Sequence, residues 1–224
     1  MAENKLYNTL LALPLFLGMS RNDLQEVAGR TKLDFCKLPA EATIVTEGER
    51  CEKLHFLLAG NVKVVTTSSD HGYTIEETIC APDLFQPERI FGLNQRFTHT
   101  YIAQTECSLM SINKKDIMIL TDKFEICRLN LLNIISTQTQ KMSKRLLYAA
   151  PKNLQETITR FFEARCLHPT GEKTFYIKMT RLAAELNDSR LDISHALNDM
   201  QAQGLLSLHR GRIHIPALEK LINS

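Results

Sequence analysis

The sequence predicts an α+β chain in three stretches: an antiparallel β-roll (a double-stranded β-helix), one long helix, and a compact helical unit closed by a β-hairpin. Three observations carry that prediction. Residues 31–112 break into short runs rich in β-branched, aromatic or Leu residues, separated by turn residues. Residues 124–150 contain neither Gly nor Pro and set a seven-residue repeat. Residues 180–215 hold two short helical patterns, a tight turn, and two short strands around Arg210-Gly211-Arg212. We draw the divisions at 1–122, 123–150 and 151–224. The 224 residues, 44% apolar and 23% charged, suit one large or two small soluble domains and exclude a disordered chain. A net charge of +2 excludes a strongly basic, tail-like binder of polyanions but leaves room for one basic face.

The most apolar run, Leu10 to Met19, falls short of the roughly 20 residues a spanning helix needs. It lacks the basic start and small-residue cleavage site of a signal peptide. It reads as a buried N-terminal helix of a cytoplasmic chain. Ser20 with Asp23 forms a capping box for the next helix, whose apolar stripe is Leu24, Val27 and Ala28. Strands follow at Thr31–Lys37, Thr43–Thr46, Leu54–Leu58, Val62–Thr67, Tyr73–Ile79, Thr98–Ala103 and Cys107–Ile112, with turns such as Ala59-Gly60-Asn61 and Asp70-His71-Gly72 between them. So many short strands at close spacing predict a sandwich or roll. The cysteines at 36, 51, 80, 107, 127 and 166 form no close pair, which excludes a zinc knuckle, a C-x-x-C redox site and a disulfide framework.

In the long helix the repeat falls on Arg128, Leu132, Ile135, Thr139, Met142, Leu146 and Ala149. Leu131 and Ile134 lie off that seam, so the helix is apolar on two faces. One face suits the roll and the other a second copy of the chain; burial within a monomer is the alternative. Pro151 ends the helix. Asn153 with Glu156 starts the next one as a capping box, with Ile158, Phe161 and Phe162 inward.

Function concentrates after residue 150. Residues 151–224 hold ten Lys/Arg against eight Asp/Glu, which leaves the rest of the chain neutral. Thr180–Leu186 reads as a helix, Asn187-Asp188 as a tight turn, and Ser189 as the cap of a helix reaching about Gln203, stopped by Gly204. Ile193, Ala196, Leu197 and Met200 share its inner face. This is a helix-turn-helix pattern, whose second helix would enter a DNA major groove. The residues placed to meet DNA are Thr180, Ser189, Arg190, Leu191, Ser194, His195 and Asn198. The hairpin after it forms a wing, and its His209, Arg210 and Arg212 suit phosphate oxygens.

Taken in order, these features resemble the Crp/Fnr family of bacterial transcription regulators. The resemblance rests on Phe16-Leu17-Gly18-Met19-Ser20 with Leu24, on Glu47-Gly48-Glu49 with Leu54–Phe56, Gly60 and Val62-Lys63-Val64, and on Pro82-Asp83-Leu84-Phe85. It continues through Ala103-Gln104-Thr105-Glu106-Cys107, through Ile112 and Lys114-Lys115-Asp116 as the last strands, and through Thr180 to Leu206. It implies a cyclic-nucleotide-binding-like sensor roll, a homodimer paired through the long helix, and a winged helix-turn-helix on a two-fold operator. It also implies double-stranded DNA and RNA polymerase as partners, and no enzyme activity and no membrane association.

The departures bear on the effector. Where cyclic-nucleotide binders of this family carry a Gly-Glu pair that holds the ribose, this chain has Gln86-Pro87, with Glu88 one place late. Where they carry the arginine that neutralises the cyclic phosphate, it has Phe97, followed by Thr98, with Arg96 one place early and so on the opposite face of a strand. The candidate effector pocket is Phe85, Glu88, Arg89, Arg96, Phe97, Thr98 and Thr137. We expect a small-molecule effector other than cAMP. The family's N-terminal cysteine cluster for an iron–sulfur centre is missing, and a lone His55, His71 or His99 makes a poor haem site, so no cofactor is expected. A cyclic-nucleotide-responsive regulator of the same fold is the alternative, and a small β-roll metal enzyme a more distant one. In the recognition helix Arg190 matches the family's guanine-reading arginine, whereas Leu191 and His195 depart from its pattern.

Overall fold

The structure, a computed structural model, describes residues 2–146 and 149–224; the side chains of 2–6, 142 and 144–146 lie outside that description. The chain divides into two units. The first comprises Met1–Val62, Ile79–Thr98 and Ile102–Leu147, and the second Lys63–Thr78, His99–Tyr101 and Tyr148–Ser224.

In the first unit, helix α1 (Ala2–Leu11) is followed by a 3-10 turn at Pro14–Phe16 and by α2 (Arg21–Arg30). The apolar run from Leu10 to Met19 is therefore not one helix. Pro14 has no N–H to give to a helical ladder, so α1 stops at Leu11, and Leu13, Leu15 and Phe16 bury themselves from the turn. The capping box of α2 forms as expected. The Asp23 N–H donates to Ser20 Oγ at 3.2 Å, and the Ser20 N–H donates back to the Asp23 carboxylate at 3.2 Å.

Eight strands follow: β1 (Asp34–Leu38), β2 (Thr43–Val45), β3 (Lys53–Ala59), β4 (Asn61–Thr67), β5 (Tyr73–Cys80), β6 (Asp83–Leu84), β7 (Thr100–Ala103) and β8 (Cys107–Asn113). One sheet has the antiparallel order β1-β8-β3-β6. Leu54 and Phe56 of β3 point into its core, the period-two alternation of a half-buried strand. At Gly60, between β3 and β4, φ is +96° and an added Cβ would lie 2.4 Å from the Glu106 carbonyl oxygen, so this turn admits glycine alone.

Lys114-Lys115-Asp116 are not part of the last strand. Asn113 accepts the Asp116 N–H at 2.9 Å and so caps a helix, α3 (Lys114–Lys123). Extended backbone at Phe124 separates it from α4 (Glu125–Leu146). Ala149 and Ala150 are not helical, so the seam does not extend to Ala149. On α4, Cys127 and Leu131 are buried, and Asn130 Nδ2 donates to the carbonyls of Leu15 and Leu17 at 3.1 and 2.9 Å.

The second unit holds α5 (Leu154–Arg165), β9 (Lys173–Ile177), α6 (Met179–Leu186), α7 (Arg190–Ala202), β10 (Ser207–His209), β11 (Arg212–Ile215) and α8 (Leu218–Ile222). Its core gathers Ile158, Phe162, Phe175, Leu182, Leu197 and Ile213, with the Phe162 and Phe175 rings 4.5 Å apart. Asn153 caps α5 by accepting the Glu156 N–H at 2.8 Å. The other half of the expected box differs: Glu156 takes the N–H of Lys152 at 2.7 Å.

In this unit the sheet order is β10-β11-β9-β5, with β4 beyond β5. β5 runs antiparallel to β9 from Tyr73 opposite Ile177 to Glu77 opposite Lys173. The Glu77 and Lys173 side chains are both fully buried, with Lys173 Nζ 2.8 Å from Glu77 Oε2. The Glu77 carboxylate also accepts the Leu167 N–H at 2.8 and 3.1 Å, while Lys173 Nζ has the Glu77 ion pair and no well-aligned hydrogen bond among the described residues.

Candidate functional site

Helices α6 and α7 are joined by a turn that their residues dictate. Asn187 takes the left-handed conformation at φ 52°, which Asn tolerates, and its N–H closes back on the Ala183 and Ala184 carbonyls. The chain re-enters a helix at once. The Asp192 N–H donates to Ser189 Oγ at 3.1 Å while Ser189 Oγ donates to Asp192 Oδ2 at 2.6 Å. Asp192 thus serves the cap and the positive end of the helix, which accounts for a carboxylate on this face. Ile193, Ala196, Leu197 and Met200 are buried, as their spacing predicts. Ser189, Arg190, Leu191, His195 and Asn198 are exposed and Ser194 is half-buried. Leu191 is 65% exposed on the same face. Thr180 is exposed in the first turn of α6.

The hairpin β10–β11 turns through Arg210-Gly211, with Gly211 at φ 71° and His209 paired with Arg212. His209, Arg210 and Arg212 are exposed. Gln201 near the end of α7 accepts the Leu208 N–H at 2.7 Å, which ties the hairpin to the helix. The ten residues expected from the sequence to meet DNA lie on α6, α7 and one hairpin of a single unit.

The effector candidates, all in the first unit, are divided. Phe85 and Phe97 are buried, and the His55 ring lies against both at 6.3 and 6.1 Å. Burial, with Lys53 nearby, holds the His55 imidazole down to about 4, so it is neutral at physiological pH. Arg96 is exposed and turned outward, donating to the Gly48 carbonyl at 2.7 Å. Arg89 and Glu88 are half-buried neighbours, Nε to Oε1 3.8 Å, on a 3-10 turn that packs against α4. Thr137 is exposed on α4.

Gln86 fills the position between these groups. It is buried, sits at φ 36°, and clasps Thr98 twice: Nε2 donates to Thr98 Oγ1 at 2.6 Å and Oε1 accepts the Thr98 N–H at 2.9 Å. Gln86 and Thr98 are spent on each other and Arg96 faces away, whereas Arg89, three residues from Gln86, keeps a buried Nε with no hydrogen-bond acceptor among the described residues. A cyclic phosphate needs a paired cation when desolvated, and Phe97 supplies none where the resemblance implies an arginine. Sequence reasoning marked Gln86 only as a lost ribose contact; the Thr98 that its amide fits was the available signal.

On the seam of α4, Leu132 is 55% exposed, Ile135 is half-buried, and Arg128 and Thr139 are exposed. The Met142 and Leu146 side chains lie outside the described residues. Leu129 adds a second exposed apolar residue. Among the described residues no three His, Cys, Asp or Glu side chains converge as metal ligands, and no helix is long and apolar enough to cross a membrane.

Residues 35–123 match the family described as Cyclic nucleotide-binding domain. The structure of the chain is similar to the catabolite activator protein of Thermus thermophilus, at 17% identity over 94% of this chain and 97% of that one, with a TM-score of 0.52. It is similar to a protein of Eubacterium rectale described as a Crp/Fnr-family transcriptional regulator, at 19% identity over 95% and 99% of the two chains, with a TM-score of 0.52. It is also similar to the sensor domain of the transcriptional regulator DNR of Pseudomonas aeruginosa, at 19% identity over 66% and 98%, with a TM-score of 0.53. No curated protein matches the sequence.

Proposed function

We propose that this chain is a cytoplasmic, sequence-specific DNA-binding transcription regulator, not an enzyme, that acts as a homodimer. Its roll senses a small molecule other than cAMP. The observation that carries the reading is the second unit's outer face: a Ser189-capped helix with Arg190, Leu191, His195 and Asn198 exposed, beside a hairpin with Arg210 and Arg212 at its turn. In this reading α6 and α7 are a helix-turn-helix, the hairpin is its wing, and Arg190 reads a base edge while the wing arginines position the duplex. Residues 1–122 sense, 123–150 pair two copies through Leu132 and its seam, and 151–224 bind a two-fold operator and recruit RNA polymerase.

The effector reading is supported by the Gln86–Thr98 clasp and by the apolar company of Phe85, Phe97 and His55. The effector shifts DNA affinity only by its differential affinity for two states of the chain. Selection from a random duplex pool tests the whole reading. It should enrich one two-fold site whose binding weakens steeply with salt, and adding cAMP should not change it. Salt-insensitive or undetectable binding to every duplex contradicts it.

A further inference from the structure

Arg181 follows Thr180 in the first turn of α6, where the helix N-terminus and an arginine together suit a phosphate. Its guanidinium already holds an anion. Arg181 Nη2 lies 2.6 Å from Asp70 Oδ2 and also pairs with Glu185. Its Nε is buried and has no acceptor among the described residues. Asp70 comes from the tip of the β4–β5 hairpin, far from α6 in sequence and part of the same unit.

That tip is shaped for the contact. Ser68 Oγ and the Gly72 N–H donate to Asp70 Oδ1 at 2.9 and 3.1 Å, which leaves Oδ2 for Arg181. His71 turns the loop at φ 55°. A Cβ on Gly72 would stand 2.9 Å from Arg181 Cζ and Nε, so any other residue there displaces the guanidinium. Behind the tip the hairpin is fastened to β9 along Tyr73–Glu77, and Arg165 Nε donates to the Tyr73 hydroxyl at 2.8 Å.

We propose that Asp70 stands in for a DNA phosphate: the hairpin tip latches Arg181, and its withdrawal frees a backbone contact at the head of α6. This rests on the DNA-binding reading above. The Asp70–Arg181 pair is exposed enough to be exchanged for a phosphate while Glu185, on α6 itself, stays on the guanidinium.

The test titrates the full chain and Asp70→Asn with one random-sequence duplex at several salt concentrations. Asp70→Asn should bind at least about threefold tighter at low salt, and its log K against log salt slope should steepen by about 1, the mark of one added phosphate contact. The double variant Asp70→Asn/Arg181→Gln should lose both gains. Equal or weaker binding by Asp70→Asn, with the wild type binding normally, overturns the latch alone. Binding by neither protein overturns the latch and the DNA reading together.

Discussion

Replacing Lys173 by Met tests how the second unit's sheet is held. Glu77 and Lys173 are directly opposite in the β5–β9 register, both side chains are fully buried, and Nζ lies 2.8 Å from Oε2. In Lys173→Met the Glu77 carboxylate keeps the Leu167 N–H but loses the ammonium opposite it. Removing one partner of such a pair costs about 3–5 kcal/mol, because an uncompensated charge stays buried. Removing both is different. Glu77→Leu with Lys173→Met leaves an apolar pair but orphans the Leu167 N–H, so it should fall within about 1–3 kcal/mol of the wild type and stay above the single variant. Urea unfolding reads both, with the slope checked so that a shifted midpoint reports stability. The reasoning fails if the single substitution costs less than about 1 kcal/mol, or if the double variant is less stable than the single.

Stability should also depend on pH through His55. The unfolded chain protonates this imidazole near 6.5 and the folded chain only at about 4, so its contribution is complete above pH 6.5 and is lost as pH falls towards 4. The loss is about 2 kcal/mol at pH 5, and His55→Gln should flatten it in urea midpoints taken at pH 7 and pH 5. Gly60→Ala should cost at least about 2 kcal/mol, since a positive φ and a backbone oxygen both oppose the methyl group. Gly48→Ala, at φ +83° in open space, meets the strain alone and should cost about 1 kcal/mol; thermal unfolding of the two separates clash from strain.

What the sequence made legible was mostly local. Ser20, Asn153 and Ser189 cap helices because a short side-chain oxygen reaches an N–H three residues on, a relation contained in adjacent residues. The Asn187 turn and the Gly211 hairpin are local in the same way. The buried face of α7 follows from spacing alone. Strand β9 escaped because it opens on Lys173, a residue type that reads as surface; only Glu77, a distant partner, makes it core. Helix α3 escaped because Lys114-Lys115-Asp116 looked like the end of β8, although Asn113 with Asp116 carries a cap signal. At the candidate site, the exposure of Arg190, His195 and Arg210 was legible from periodicity. The clasp of Gln86 on Thr98 and the hold of Asp70 on Arg181 were not, since each depends on which loops meet in space.

The central claim is that the outer face of α7 reads bases while the hairpin turn holds phosphates. One measurement tests it most directly: affinities of Arg190→Ala and Arg210→Ala for the selected operator and for a scrambled duplex. Arg190→Ala should lose about 1–3 kcal/mol on the operator, little on the scrambled duplex, and relax selectivity at one base position. Arg210→Ala should weaken both duplexes alike and lower the salt slope by about 1. Equal losses on both duplexes for Arg190→Ala, or no loss for either variant, would contradict the account.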